Sequence, residues 1–269
     1  MVANEVTLSW IRNLSIEKKM LKLKELCIVE SKDALRGVPE GKVLINTINA
    51  HSYNTAQRDD AFAMALRNGD YLIPDGASII KACRWLKAKS QPKERIAGWD
   101  LFSFEMDHLE RKSEKLKVKS EKCLRVMFLG SSEKVLGLIR ERAAVDYPNL
   151  EVVTYSPPYK PEFSDEDNQA LIHAVNDANP DLLWIGMTAP KQEKWTYQHW
   201  NELNIHCHCG TIGAVFDFYA STAKRAPLWW QEHSLEWLYR LLMEPRRMWR
   251  RYVIGNPLFL WNIMKEKMT

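Results

Sequence analysis

Pro74, Asp75 and Gly76 follow the apolar run Tyr71–Leu72–Ile73. A strand that ends this way holds one carboxylate on a short, stiff turn. Such a group would suit a general base that removes a proton from an incoming hydroxyl. The ordinary alternative is a turn aspartate that bonds its own backbone or caps the helix beginning at 77. A second polar group closes "KVLINTIN" (42–49), where Asn46, Thr47 and Asn49 offer uncharged hydrogen-bonding side chains. They would suit sugar hydroxyls or an amide, or they would simply form an Asx turn. A third is "IGMTAPKQEKW" (185–195). There a helix N-terminus favours an anion, and Lys191 and Gln192 would reach a phosphate or a ring hydroxyl.

Two metal-like patterns are weaker. "DED" (165–167) fits oxygen coordination, but it also follows Ser164 at a helix start, where acidic residues are expected from the dipole. "HCHCG" (206–210) alternates, so a strand there puts its histidines and cysteines on opposite faces and closes no tetrahedral site. No metal and no cofactor is expected. "FLGSSEKV" (128–135) lacks the glycine fingerprint of a dinucleotide site.

The elements that must position these groups follow from hydrophobic period. Strands read at 42–49, 71–74, 124–130, 151–158, 181–187 and 205–213. Helices read at 55–69, 77–89, 100–122, 132–147, 164–179 and 190–203. The helix at 100–122 becomes densely charged and finishes in a solvated linker. Strands alternating with helices imply a Rossmann-like α/β fold, with a mostly parallel sheet and right-handed crossovers. Ligands of such sheets bind at the carboxyl ends of the strands, where the three polar groups fall.

The chain has 269 residues, 46% hydrophobic and 27% charged, an ordinary globular balance. No run reaches the roughly 18 apolar residues of a membrane span. The N-terminus has no apolar leader, and five cysteines show no disulfide spacing. A cytoplasmic location is expected. Net charge is +4, but Lys224–Thr269 holds nine Lys or Arg against four Glu, and five of the 11 Trp. Basic residues among tryptophans suit an anionic membrane surface or a nucleic acid. Ser234 is placed to cap a helix that Pro245 ends or kinks. Beyond it, Arg246/Arg250 and Arg247/Arg251 form i,i+4 pairs. Two units result: a core at 1–233 and a basic, Trp-rich helical appendage at 234–269.

"IPDG", "RIAGWDL", "GMTAPKQEKW", "GTIGAVFDF", "KRAP" and "LEWLYRLLMEPRRMWRRY" occur in this order across residues 43–257. Together they resemble the WecG/TagA/CpsF family of bacterial glycosyltransferases. The resemblance implies metal-independent, inverting transfer from a UDP-sugar to an undecaprenyl-diphosphate-linked sugar, for teichoic acid or another cell-surface polysaccharide. It implies peripheral attachment at the inner membrane face and no nucleic acid. It also implies Asp75 as base, with Thr47, Asn49, Arg95, Gln192, Arg240, Arg247 and Arg250 binding substrate. The appendage would close over the site at the membrane, so truncation before Ser234 should abolish turnover while the core still folds. Thr188 and Ser221 stand where the family commonly has glycine, which leaves donor and acceptor open. The alternatives are a nucleotide- or nucleic-acid-binding protein without catalysis, and an inactive membrane scaffold. The apolar tail would equally seat on a second copy, as a homo-oligomer.

Overall fold

The computed structural model describes residues 20–120 and 123–268. The reading of the extreme N-terminus lies outside these residues.

Six strands form one parallel sheet: β1 (Val43–Ile48), β2 (Tyr71–Pro74), β3 (Leu124–Leu129), β4 (Leu150–Tyr155), β5 (Leu182–Ile185) and β6 (His208–Thr211). Their order is β2-β1-β6-β5-β3-β4, and every pair is parallel. The strands are near-continuous apolar runs because helices cover both faces. β1 and β6 bring the two halves of the chain together at the centre. The sheet is Rossmann-like α/β, as expected.

The helices are α1 (Ala50–Ala56), α2 (Asp60–Asn68), α3 (Ala77–Leu86), α4 (Gly98–Ser120), α5 (Glu133–Asp146), α6 (Asp165–Ala178), α7 (Lys191–His199) and α8 (Ala214–Tyr219). The single helix expected over 55–69 is two. α1 ends at Ala56, and Asp59 caps α2 by accepting from the Phe62 N–H at 3.0 Å. The charged stretch expected as a solvated linker is helical to Ser120. Ser113 anchors it, donating to the Asn149 carbonyl at 2.6 Å and accepting from Leu124 N–H at 2.9 Å.

The C-terminal segment continues with α9 (Leu228–Glu232), α10 (Glu236–Met243), α11 (Pro245–Trp249), a π-helical turn (Arg250–Ile254) and α12 (Gly255–Met268). Pro245 separates α10 from α11, as its missing N–H requires. Ser234 does not cap α10; it takes a left-handed φ of 58°, and Leu235 occupies the cap position without a side-chain bond.

Packing does not divide the chain at residue 233. Phe259 and Ile263 of α12 are buried in the apolar cluster of Leu23, Tyr53, Phe62 and Ile79. Glu266 accepts from the Leu23 and Lys24 N–H groups and from the Tyr53 hydroxyl. The last helix is therefore built into the core. Truncation before Ser234 would strip away that cover. The residues between, 228–254, carry the exposed apolar side chains Leu228, Trp229, Leu242, Met243 and Val253.

Candidate active site

Asp75 stands where β2 ends. Its N–H donates to the Ile48 carbonyl of β1 at 2.8 Å, and the Pro74 carbonyl accepts from the Ile96 N–H at 3.0 Å. These two bonds pin the turn between β1 and the loop carrying Arg95. Gly76 then takes φ +156°, ψ 136°, a conformation that side chains rarely adopt. Gly76 is the N-cap of α3 and no side chain caps that helix. The carboxylate of Asp75 is thus not spent on capping. It lies 3.4 Å from Arg95 Nη2 and is partly exposed.

Arg95 binds a second carboxylate more closely. Its Nη2 is 2.6 Å from Glu236 Oε2, at the start of α10. Burial opposes the Arg95 charge, but Asp75, Glu236 and Asp100 outweigh it and hold its pKa above the ordinary value. Glu236 was not singled out in the sequence. Its partner lies far away along the chain, and only its place in the "LEWLYRL" motif marked it.

Thr47 and Asn49 close β1 beside this turn, with Thr47 opposite Ile73 and Ile48 opposite Pro74. A Cβ on Gly76 would sit 3.8 Å from the Asn49 Cβ. Asn49 caps α1: its Oδ1 accepts from His51 and Ser52 N–H groups, each at 3.0 Å. That commits its oxygen and leaves its Nδ2 hydrogens for another partner. Asn46 has a different role from the one its sequence position suggested. It is fully buried, accepting from the Thr211 hydroxyl at 2.8 Å and donating to the Ala65 carbonyl at 3.2 Å.

Gln192 lies in the first turn of α7, next to the end of β6. It is buried; its Nε2 donates to Glu193 Oε1 at 2.9 Å, and its Oε1 has no partner. That oxygen is 3.1 Å from where a Cβ of Gly213 would be, so glycine there leaves it room. Glu193 is buried as well, and burial pushes its carboxyl up to about 7. Lys191 turns away to the Lys160 carbonyl and the Phe163 ring.

The predicted tail arginines divide. Arg240 lies over the Phe218 ring, 4.8 Å from its centroid. Arg247 is largely exposed and pairs with Glu244 at 2.8 Å, and Arg250 lies over Trp249. Arg251, absent from the sequence-derived set, has a buried Nε without a partner. Burial lowers its pKa, aided by Arg240 and Arg247 and opposed by Tyr252 and Asp75. Arg225, from the "KRAP" motif, lies 5.3 Å from the Trp99 ring; burial lowers its pKa against Glu236, Asp100 and Asp75. Arg95 pairs with Asp75, and the charge of Asp75 bears on Arg225 and Arg251 as well.

The metal-like patterns have structural tasks. Asp167 closes a capping box with Ser164 and pairs with Lys160. Cys207 and Cys209 are buried in the core, while His208 bonds Glu105 and the Pro39 carbonyl. Among the described residues no group of three or more His, Cys, Asp or Glu is placed to hold a metal ion. A cavity of about 370 Å³ lined by Arg142, Tyr219 and Ser221 includes none of the candidate residues.

The sequence matches the Glycosyl transferase WecG/TagA/CpsF family over residues 13–269. It is 27% identical to an N-acetylglucosaminyldiphosphoundecaprenol N-acetyl-beta-D-mannosaminyltransferase of Bacillus subtilis (strain 168), over 83% of this chain and 80% of that one. It is 28% identical to the protein of the same name from Staphylococcus aureus (strain MW2), over 84% of this chain and 81% of the other.

Proposed function

The chain belongs to the WecG/TagA/CpsF family of glycosyl transferases, and from that premise we propose an inverting transfer of a sugar from a UDP-sugar to an undecaprenyl-diphosphate-linked sugar, with Asp75 as the general base. The observation that carries this reading is the carboxylate of Asp75, held at the carboxyl edge of a parallel sheet and not spent on capping, with Arg95 at 3.4 Å and its charge felt by Arg225 and Arg251. Inversion needs one displacement. The acceptor hydroxyl gives its proton to Asp75 as its oxygen forms the new bond to the anomeric carbon. The bond to UDP breaks on the opposite face, and its electron pair leaves on the phosphate oxygen. The departing diphosphate gains charge, which Arg225, Arg240 and Arg251 are suited to stabilise without a metal ion.

Thr47, Asn49 and Gln192 would hold sugar or base groups by uncharged hydrogen bonds. Arg247 and Arg250, which face outward, suit lipid phosphates rather than the reacting diphosphate. No helix among the described residues is long and apolar enough to cross a membrane. A lipid-linked acceptor would therefore be met at the membrane surface, through the exposed tryptophans and arginines of 228–264. The relatives' name pairs an N-acetylglucosaminyl-diphospholipid acceptor with an N-acetylmannosaminyl group. We take the same acceptor class for this chain, in the synthesis of a teichoic acid or another cell-surface polysaccharide.

The test is UDP release from a panel of UDP-sugars, with a short-chain polyprenyl-diphosphate N-acetylglucosamine as acceptor and EDTA present. Acceptor-dependent release with one donor is expected. Release that needs an added divalent ion would overturn the metal-independent part, and no release with any donor would overturn the acceptor assignment.

A further inference from the structure

Glu236 opens α10, and the transfer chemistry above gives it no task. Its carboxylate side chain is only 15% exposed and lies 2.6 Å from Arg95 Nη2. The same nitrogen is 3.4 Å from Asp75 Oδ1. One guanidinium nitrogen is thus shared by two carboxylates, unequally. The shorter distance is a full charge-assisted hydrogen bond, and the longer one is at the outer limit of such a bond. The bond from the Ile96 N–H to the Pro74 carbonyl keeps Arg95 beside β2 whatever its side chain does. What remains variable is which carboxylate it grips. A carboxylate gripped by a guanidinium is a poorer proton acceptor.

We propose that Glu236 is a positioning residue for the transfer reaction: it draws Arg95 off Asp75 and, by the same bond, holds α10 over the edge of the sheet. The proposal rests on Asp75 being the base. It makes seating of the C-terminal segment and competence of the base one event. When α10 lifts, Arg95 loses its closer partner and turns to Asp75. The other charges that bear on this group are Asp100 on α4, Arg225 ahead of α9 and Arg251 in the π-helical turn. Arg240 on α10, Arg247 on α11 and His51 on α1 act on it through Arg251. Asp100 is itself paired with Lys32 at 3.2 Å. Replacing Glu236 by Gln leaves all of these in place.

The experiment uses the full chain as wild type, Glu236→Gln, Arg95→Gln and the double variant. kcat and KM for sugar transfer are measured separately. In parallel, protease cleavage within 225–254 is timed without substrate. In Glu236→Gln kcat should fall roughly tenfold with KM little changed. No such fall should separate the double variant from Arg95→Gln, and α10 should be cut faster in Glu236→Gln. A kcat that stays at the wild-type value, or that falls equally without Arg95, overturns the proposal. If wild type transfers no sugar with any donor, the proposed transfer and its acceptor assignment fail, independently of the latch. The cleavage arm still decides the latch, which falls if Glu236→Gln is cut at the wild-type rate.

Discussion

Glu193 has a buried carboxyl, with Gln192 as its hydrogen-bond partner and one oxygen unpaired. Its pKa rises from 4.5 unfolded to about 7 folded. The folded chain therefore binds this proton more tightly, and stability is lost as pH rises from about 4.5 to about 7. No countercharge contributes to the shift, and Lys194 on the same helix is paired with Asp59 ahead of α2. In Glu193→Gln, stability relative to wild type should grow by roughly 2 kcal/mol between pH 5 and pH 8, read from urea unfolding at both. An equal difference at the two pH values would contradict this. His208 adds a smaller trend of the same sign. Burial lowers its pKa, but Glu105 and the Pro39 carbonyl raise it further, so its stabilisation fades as pH climbs past the raised value. At this scale the sequence was partly legible. Asp75 could be marked as a candidate because Pro and Gly flank it at a strand end, while the role of base came only from the family resemblance. Ser221 could be marked as standing at a glycine position, and its φ of +56° shows why glycine suits it. Glu236 could not be named, and Arg251 only as one of an i,i+4 basic pair, since their surroundings are brought close only by folding.

Among the elements, α12 has two faces: Phe259 and Ile263 are buried in the core while Leu260, Trp261 and Met264 are exposed. Phe259 also meets Tyr53 edge-on, with centroids 5.5 Å apart. Phe259→Ala should cost about 3–5 kcal/mol, visible as a lower urea midpoint, because it opens a cavity beneath α1 and α3. Glu266→Ala should also destabilise, leaving the N–H groups of Leu23 and Lys24 and the Tyr53 hydroxyl without this acceptor. If α12 were a mere appendage, neither change would move the midpoint. The strands were legible from their apolar runs. The break between α1 and α2 was written in Asp59 but masked by a continuous helical period. The π-helical turn has no local signal.

For the whole molecule, the alternating strands and helices told of a parallel sheet, but not its order, and not that the chain's last helix closes over its first strands' helices. The six ordered motifs converge in space around β2, β6 and the C-terminal segment. Trp229, Trp249 and Trp261 are about half exposed, on the same C-terminal segment as the exposed Arg246, Arg247 and Arg250. We expect sedimentation with vesicles containing anionic lipid, weakened by salt, and reduced about tenfold when these three tryptophans become Ala. Binding that ignores both salt and the tryptophans would contradict membrane docking. The central claim, that Asp75 takes the acceptor's proton, is tested most directly by comparing wild type with Asp75→Asn. Formation of the lipid-linked product would be measured by mass spectrometry, and UDP affinity by calorimetry on the same samples. The account predicts a rate reduced at least about 10²-fold with UDP binding retained. An Asn variant that makes product at the wild-type rate would contradict it.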